Sequence, residues 1–234
     1  MSSPFNARAV IFDIGDTMLR ERGLRYEAVE FAMNKLQTDG FVADSAPLHK
    51  EYLVRDQELT GHNVNHLFSN LEMVRGIFET HKLAKPEFLA NSYLAIHRSF
   101  VLGAIQRDHR LVEMLEEISA EGWAIGVLTD GTTLEQYLLL EKLGVLKLID
   151  AVTVSEDVGQ SKPAFAMFKD ISDKLKIPLN CCVMVGNDRA RDIEGAQMFG
   201  MKSILVNEFN LESEPEEIQS ILSVSEKLKT VFTS

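Results

Sequence analysis

Apolar residues follow two rhythms along this chain. Five short runs are almost continuously apolar: Ala9–Phe12, Trp123–Leu128, Ala151–Val154, Cys181–Val185 and Ser203–Val206. Runs of that length, rich in Val and Ile, fit strands of a parallel sheet covered on both faces. Between them apolar positions recur at helical spacing. Leu111, Met114, Leu115 and Ile118 precede Gly122, and Leu134, Tyr137, Leu138 and Leu143 precede Gly144, which is placed to end a helix. Phe165, Phe168, Ile171 and Leu175 run up to Pro178, and Ile193, Ala196 and Phe199 run up to Gly200. Strand and helix alternate, which predicts an α/β fold with a doubly wound parallel sheet.

One interval breaks this alternation. From about Arg20 to Asp108 no run has strand character, and four helices fit instead, at 24–39, 47–60, 66–82 and 86–101. Pro47 and Pro86 suit first-turn positions. Leu71, Val74, Ile77 and Phe78 form one stripe, and Phe88, Leu89, Tyr93, Ile96 and Phe100 form another. The expected organisation is a core of residues 1–19 and 105–234 with an all-helical insert, residues 20–104, directly after the first strand. An insert leaving the C-terminal edge of a parallel sheet is expected to lie over the edge where such sheets bind ligands, as a lid would. The stretch from Glu208 to Glu217 is acidic and reads as a solvated loop, with Ile218, Ile221, Leu222, Leu228, Val231 and Phe232 packing a final element on the core.

Length and composition narrow the function classes. The 234 residues suffice for one large domain or two small ones. Hydrophobic residues make up 45% and charged residues 25%, as in ordinary soluble globular proteins. A net charge of −11 argues against a general nucleic-acid or anionic-lipid footprint. No stretch of about 18 apolar residues marks a membrane span, and the polar start of the chain does not fit a signal peptide. Cys181 and Cys182 are adjacent, so a disulfide framework is excluded, and both read as buried thiols of a reducing cytoplasm. The expected partners therefore include neither nucleic acid nor membrane, and the chain is expected to be a monomer or homodimer.

Four polar segments follow predicted strand ends. They are Asp13-Ile14-Gly15-Asp16-Thr17, Thr129-Asp130-Gly131, Gly159-Gln160-Ser161-Lys162-Pro163, and Gly186-Asn187-Asp188-Arg189-Ala190-Arg191-Asp192. A carboxylate, a hydroxyl, a lysine and a second acidic cluster would then meet at one sheet edge. That set suits phosphoryl transfer. Asp13 would attack phosphorus. Thr129 and backbone amides around Asp130 and Gly131 would hold the non-bridging oxygens. Lys162 would neutralise the phosphate and Asp13. A hard cation such as Mg²⁺ would take oxygens from Asp13 and the fourth segment, letting two anions approach.

With these four segments in order, the chain resembles the haloacid dehalogenase superfamily of hydrolases, and the helical insert resembles the C1 cap of its subclass I. The resemblance implies a Rossmann-like core, Mg²⁺, and most often phosphatase activity on a small phosphorylated metabolite. It implies Asp13, Lys162 and Thr129 as catalytic residues and Thr129, Asp130, Gly131 and Lys162 as substrate contacts. For the metal it implies Asp13, the Gly15 backbone carbonyl, Asp188 and Asp192, with Asn187 and Asp188 both open as the direct ligand. Three positions depart from the family pattern. Gly15 stands where an Asp usually protonates the leaving oxygen and then activates water, help worth about 10²–10⁴ in rate. Asp16, the next residue, is expected to point elsewhere. Asp130 stands where Asn is commoner and would repel a phosphate dianion unless it faces away or meets a cation. Asn187 stands where Asp is frequent.

Gly15 keeps two other activities in view. One is a weak or inactive phosphate-binding protein. The other is C–P bond cleavage with a Schiff-base lysine, for which Lys35, Lys50, Lys82 and Lys85 of the insert are available; retention of Lys162 argues against it. His62 and His66 lie four apart but lack a third ligand at a supporting spacing, and read as polar insert residues. Arg20, Arg22 and Arg25 read as a solvated hinge and helix start. Trp123 reads as a packing residue.

Overall fold

The computed structural model describes residues 7–60, 71–207, 218 and 220–232. By internal packing the chain divides into two units, Met1–Arg20 with Gln106–Ser234, and Glu21–Ile105.

The first unit opens with β1 (Arg8–Phe12). Within its described residues the second unit has only helices as regular elements: α1 (Glu21–Thr38), α2 (Ala46–Thr60), α3 (Leu71–Thr80) and α4 (Pro86–Ala104). The chain then returns through α5 (His109–Ala120), β2 (Trp123–Thr129), α6 (Thr133–Leu143), β3 (Ala151–Val154), α7 (Ser155–Val158), α8 (Phe165–Leu175) and β4 (Cys182–Gly186). A π-helical turn at Arg189–Glu194 runs into α9 (Gly195–Met198), followed by β5 (Lys202–Leu205) and α10 (Val224–Leu228).

The five strands are parallel in the order β3-β2-β1-β4-β5. β1 is therefore central, between β2 and β4, and the strand order reverses around it, the arrangement that opens a crevice beyond the carboxyl ends of the strands. Phe12 pairs with Val127 on one side and Val185 on the other, and the Asp13 amide continues the ladder with a 2.9 Å bond to the Val185 carbonyl. Asp13 is thus held by sheet geometry, although it lies beyond the strand. On one sheet face Ala9, Ile11, Cys182 and Met184 pack with Met167, Phe168 and Ile171 of α8. Burial of each large side chain there contributes roughly 1.5–3 kcal/mol.

The helical unit has its own core. Val29, Met33 and Leu36 of α1 meet Tyr52 of α2, Val74, Ile77 and Phe78 of α3, and Leu89 and Tyr93 of α4. The α1 and α2 starts precede the sequence-based ones by one to three residues, and α4 runs three residues further. Of the expected 66–82 helix, Leu71–Thr80 is helical, and residues 66–70 lie outside the described part, as do His62, His66 and the acidic stretch from Glu208 to Glu217.

Several details depart from the sequence reading. Arg25 is not a solvated helix-start residue: it is 6% exposed, and its Nη2 donates to Asp56 Oδ2 at 2.6 Å. Tyr26 Oη donates to the same oxygen at 3.1 Å. Arg20 is exposed. Cys181 is not in the strand and is only partly buried, because Pro178 opens a 3₁₀ turn over Leu179–Cys181 before β4 starts at the buried Cys182. Helix α8 ends at a left-handed Lys176 (φ 59°), two residues before Pro178. Gly144 does cap α6 in the left-handed conformation (φ 81°). Trp123 is buried and stacks on Phe232 at 6.0 Å, with Arg8 4.6 Å above its ring.

Candidate functional site

Three of the four segments singled out in the sequence begin at the carboxyl end of a strand; the remaining one, Gly159–Pro163, does not follow its strand directly, because the short helix α7 (Ser155–Val158) stands between it and β3. Asp13 follows β1, Thr129 ends β2 and Asp130 follows it, Lys162 lies in the loop after α7, and Asn187 to Asp192 follow β4. The structure brings Asp13, Lys162 and Asp192 into direct contact. Lys162 Nζ donates to Asp13 Oδ1 at 2.6 Å and to Asp192 Oδ1 at 2.8 Å. All three are buried, at 7%, 4% and 0% exposure respectively, so these charges face one another with little water to screen them.

That burial decides the protonation of the lysine. Burial alone would favour the neutral amine, but the carboxylates of Asp13, Asp192 and Asp130 outweigh it and hold the Lys162 pKa above its ordinary value. For Asp192 burial pushes the carboxyl pKa up, Lys162 pulls it down, and the neighbouring charge of Asp13 adds to the upward side, which prevails. Asp192 is further pinned by the Asp188 amide, which donates to its Oδ2 at 3.0 Å. Gly186 makes this possible: a Cβ there would sit 2.3 Å from Asp192 Oδ2 and 2.6 Å from its Cβ.

The second segment is engaged with residues that the sequence did not bring forward. Thr129 Oγ1 donates to Gln136 Oε1 at 3.0 Å. Gly131 has a positive φ of 140°, and an added Cβ would lie 2.5 Å from Gln136 Nε2, so a side chain there would meet both strain and a clash. The Gly131 amide donates to Ser155 Oγ at 2.9 Å. Gln136 sits in the first turn of α6, seven residues after Thr129, a spacing that carries no pattern until the loop's path is known.

Asp130 does meet a cation. Its Oδ1 accepts the Lys162 backbone amide at 3.0 Å, and its Oδ2 lies 3.4 Å from Arg191 Nη1. Arg191 Nε also donates to Asp188 Oδ2 at 2.8 Å, and the Arg191 amide to Asp188 Oδ1 at 2.9 Å. Burial pushes the Asp188 pKa up, but these bonds from Arg191 outweigh it and hold the carboxyl below its ordinary value. The i, i+3 spacing of Asp188 and Arg191 could have suggested their pair. The contact to Asp130, 61 residues away, had no local trace.

Oxygens of two strand ends converge on Thr17. Its Oγ1 lies 3.4 Å from Asp13 Oδ2 and 3.4 Å from Asn187 Oδ1. Both Asp188 oxygens are occupied by Arg191, whereas Asn187 presents its amide oxygen toward Asp13 through Thr17. Among the described residues no three His, Cys, Asp or Glu side chains form a metal cluster. An oxygen set of one carboxylate, one amide and backbone carbonyls falls outside that pattern yet suits a hard divalent cation. Gly15 forms a bridge with Leu19, and the backbone turns through the left-handed region at Asp16 (φ 50°).

Comparison with known proteins is consistent with this arrangement. The family model described as haloacid dehalogenase-like hydrolase matches residues 10–206. A glyceraldehyde 3-phosphate phosphatase of Methanothermobacter thermautotrophicus is 29% identical over 91% of this chain and 91% of its own. A ribulose-1,5-bisphosphate 5-phosphatase of Halopiger xanaduensis is 40% identical over 40% of this chain and 39% of its own. The crystal structure of a HAD phosphatase from Thermococcus onnurineus superposes with a TM-score of 0.68 at 23% identity, covering 94% of this chain and 97% of that one, a likeness of fold.

Proposed function

Because the chain belongs to the haloacid dehalogenase-like hydrolases, we propose that it is a phosphatase that acts on a small phosphorylated metabolite through Asp13. The observation that carries this reading is the buried Asp13–Lys162–Asp192 triad, with Lys162 Nζ 2.6 and 2.8 Å from the two carboxylates. One oxygen of Asp13 is held by the ammonium, and the other lies 3.4 Å from Thr17 Oγ1, which also reaches Asn187 Oδ1. The relatives named for glyceraldehyde 3-phosphate and ribulose 1,5-bisphosphate support a substrate of that size and class.

In the proposed reaction Asp13 Oδ2 forms a bond to phosphorus as the bond to the leaving oxygen breaks, and water then hydrolyses the aspartyl phosphate. Lys162 holds Asp13 oriented and offsets the phosphate charge; Asp192 anchors Lys162. Mg²⁺ fits the oxygens on the side of Asp13 away from Lys162, where Asp13, Asn187 and the Gly15 carbonyl would hold it with Asp188 and Asp192 behind. When bound it would reduce the repulsion between carboxylate and phosphate. Between Asn187 and Asp188, the engagement of both Asp188 oxygens by Arg191 favours Asn187 as the direct ligand.

Gly15 supplies no proton to the leaving oxygen. Substrates whose leaving group is already a weak base, such as acyl or activated aryl phosphates, should therefore be cleaved faster than alkyl esters. The same absence favours a second reading, a phosphate-binding protein with little turnover. No described helix is long and apolar enough to cross a membrane, and two free thiols fit a reducing cytoplasm. A phosphate-release screen with Mg²⁺ over acyl phosphates and sugar phosphates, with Asp13→Asn alongside, tests the proposal. Turnover by wild type and none by the variant supports it; equal background release from both leaves only the binding protein.

A further inference from the structure

The carboxylate of Asp130 is 8% exposed and lies at the same sheet edge as Asp13. Unneutralised, it would oppose an incoming phosphate dianion and would be a buried charge lacking a partner, a costly arrangement. Arg191, with a side chain 14% exposed, stands between Asp130 and Asp188. The contacts close a ring. The Lys162 amide donates to Asp130, Arg191 donates to Asp130 and to Asp188, the Asp188 amide donates to Asp192, and Lys162 Nζ donates to Asp192. Three loops, those after β2, after α7 and after β4, are tied together by it.

We infer that Arg191 is a positioning residue of this site: it neutralises Asp130, so that Asp130 can fix the backbone of Lys162 without repelling phosphate. The inference rests on the phosphoryl-transfer reading of the site. It makes Asp130 dependent on Arg191, whereas Arg191 keeps its 2.8 Å bond to Asp188 when Asp130 is changed. A merely structural arginine would behave differently, since its loss would cost the same whatever residue stood at position 130.

The test is a double-mutant cycle on the full chain with Arg191→Met, Asp130→Asn and the combination. Inorganic phosphate binding is measured by calorimetry with Mg²⁺, and kcat and KM are measured on the best substrate of the screen. Arg191→Met should weaken phosphate binding and raise KM by about ten-fold or more, within the range of couplings between contacting charged residues. In the Asp130→Asn background the same change should cost less than about three-fold. Equal losses in both backgrounds would overturn the pairing. If Arg191→Met fails to fold, Arg191→Lys, which keeps the charge, should retain phosphate affinity in the presence of Asp130, and a ten-fold loss there would overturn it equally. Phosphate binding without turnover in wild type would refute the hydrolase reading alone, because the cycle is still read in binding. No binding by wild type would remove both.

Discussion

Gly186→Ala is the most informative single-atom perturbation of this site. Gly186 is the last residue of β4, paired with Leu205 of β5, and its carbonyl accepts the Val206 amide at 2.9 Å. The strand cannot shift without breaking that ladder. The added Cβ would lie 2.3, 2.5 and 2.6 Å from Oδ2, Cγ and Cβ of Asp192. Ordinary contact begins near 3.4 Å, so the whole Asp192 side chain must retreat by about 1 Å. Asp192 has no exposed route of retreat, being 0% exposed. Overpacking of this kind costs about 1–3 kcal/mol. Weakening its bonds from Lys162 Nζ and the Asp188 amide adds roughly 1.5–3 kcal/mol, giving about 2.5–6 kcal/mol in all. Lys162 would follow Asp192 or lose it, and a 1 Å misplacement of a group holding the reacting atoms costs about 10²-fold in rate. Calorimetry should show the melting transition of the sheet unit lowered by about 10 °C, and phosphate release should fall by about two orders of magnitude. Gly103→Ala is the control, since nothing lies within 4 Å of its added Cβ and the residue is in α4; it should be neutral or stabilise by roughly 0.5–1 kcal/mol. A Gly186→Ala protein that melts within a degree of wild type and turns over at the same rate would refute the steric argument.

Lys162→Met would leave the Asp13 and Asp192 carboxylates buried with no cation between them, and should destabilise the sheet unit by about 3–5 kcal/mol and abolish phosphate release; denaturant unfolding checks the first and the release assay the second. His97 of α4 is fully buried, and burial, with Arg25 next in effect, lowers its pKa from 6.5 to about 4. Its folded pKa is depressed, so the stability of its neutral form is complete above about pH 6.5 and is lost as pH falls toward 4. Urea unfolding should show wild type losing about 2 kcal/mol more than His97→Leu between pH 7.5 and 5, and equal losses would refute the assignment. Gly15→Asp should raise the rate on alkyl phosphates by up to about 10²–10⁴ while changing acyl phosphates far less, as leaving-group comparison in the release assay would reveal.

The sheet was legible because its inner strands β1, β2 and β4 are buried on both faces and are written as nearly unbroken apolar runs; Val10, Ile125, Val127, Val183 and Met184 have no adjacent polar residue within their strands, whereas the edge strands β3 and β5 carry Thr153 and Lys202 with Ser203. The candidate residues were legible because a doubly wound sheet collects strand ends at one edge. What escaped was contact across loops. Gln136 beneath Thr129, Ser155 against the Gly131 amide, and Arg191 beside Asp130 depend on how the loops after β2, β3 and β4 pass one another. Spacing along the chain records neighbours three or four residues apart on a helix and two apart on a strand, and none of these pairs has such a spacing. Arg25 escaped for a related reason, since its partner Asp56 is on another helix and a charged residue near a helix start ordinarily reads as solvated.

The three departures from the family pattern are therefore unequal. At Asp130 the extra negative charge is met by Arg191, so on the proposed reading Asp130 would present no uncompensated carboxylate to a phosphate. At Asn187 a charge is lost, but its oxygen still lies 3.4 Å from Thr17 Oγ1, as does Asp13 Oδ2, and amide as well as carboxylate oxygens serve hard cations. Gly15 differs in kind. A proton donor must reach the leaving oxygen within hydrogen-bond distance, and glycine has no group to offer. The acid at Asp16 sits on a backbone already turned through φ 50°, a conformation that aims its side chain differently from that of the residue before it. On the proposed reading the residues present would serve binding and attack, whereas Gly15 leaves the departure of a strongly basic alkoxide without help from a second acid. The discrimination between leaving groups, more than the overall rate, is where the chemistry of this chain should differ from that of relatives carrying the second acid.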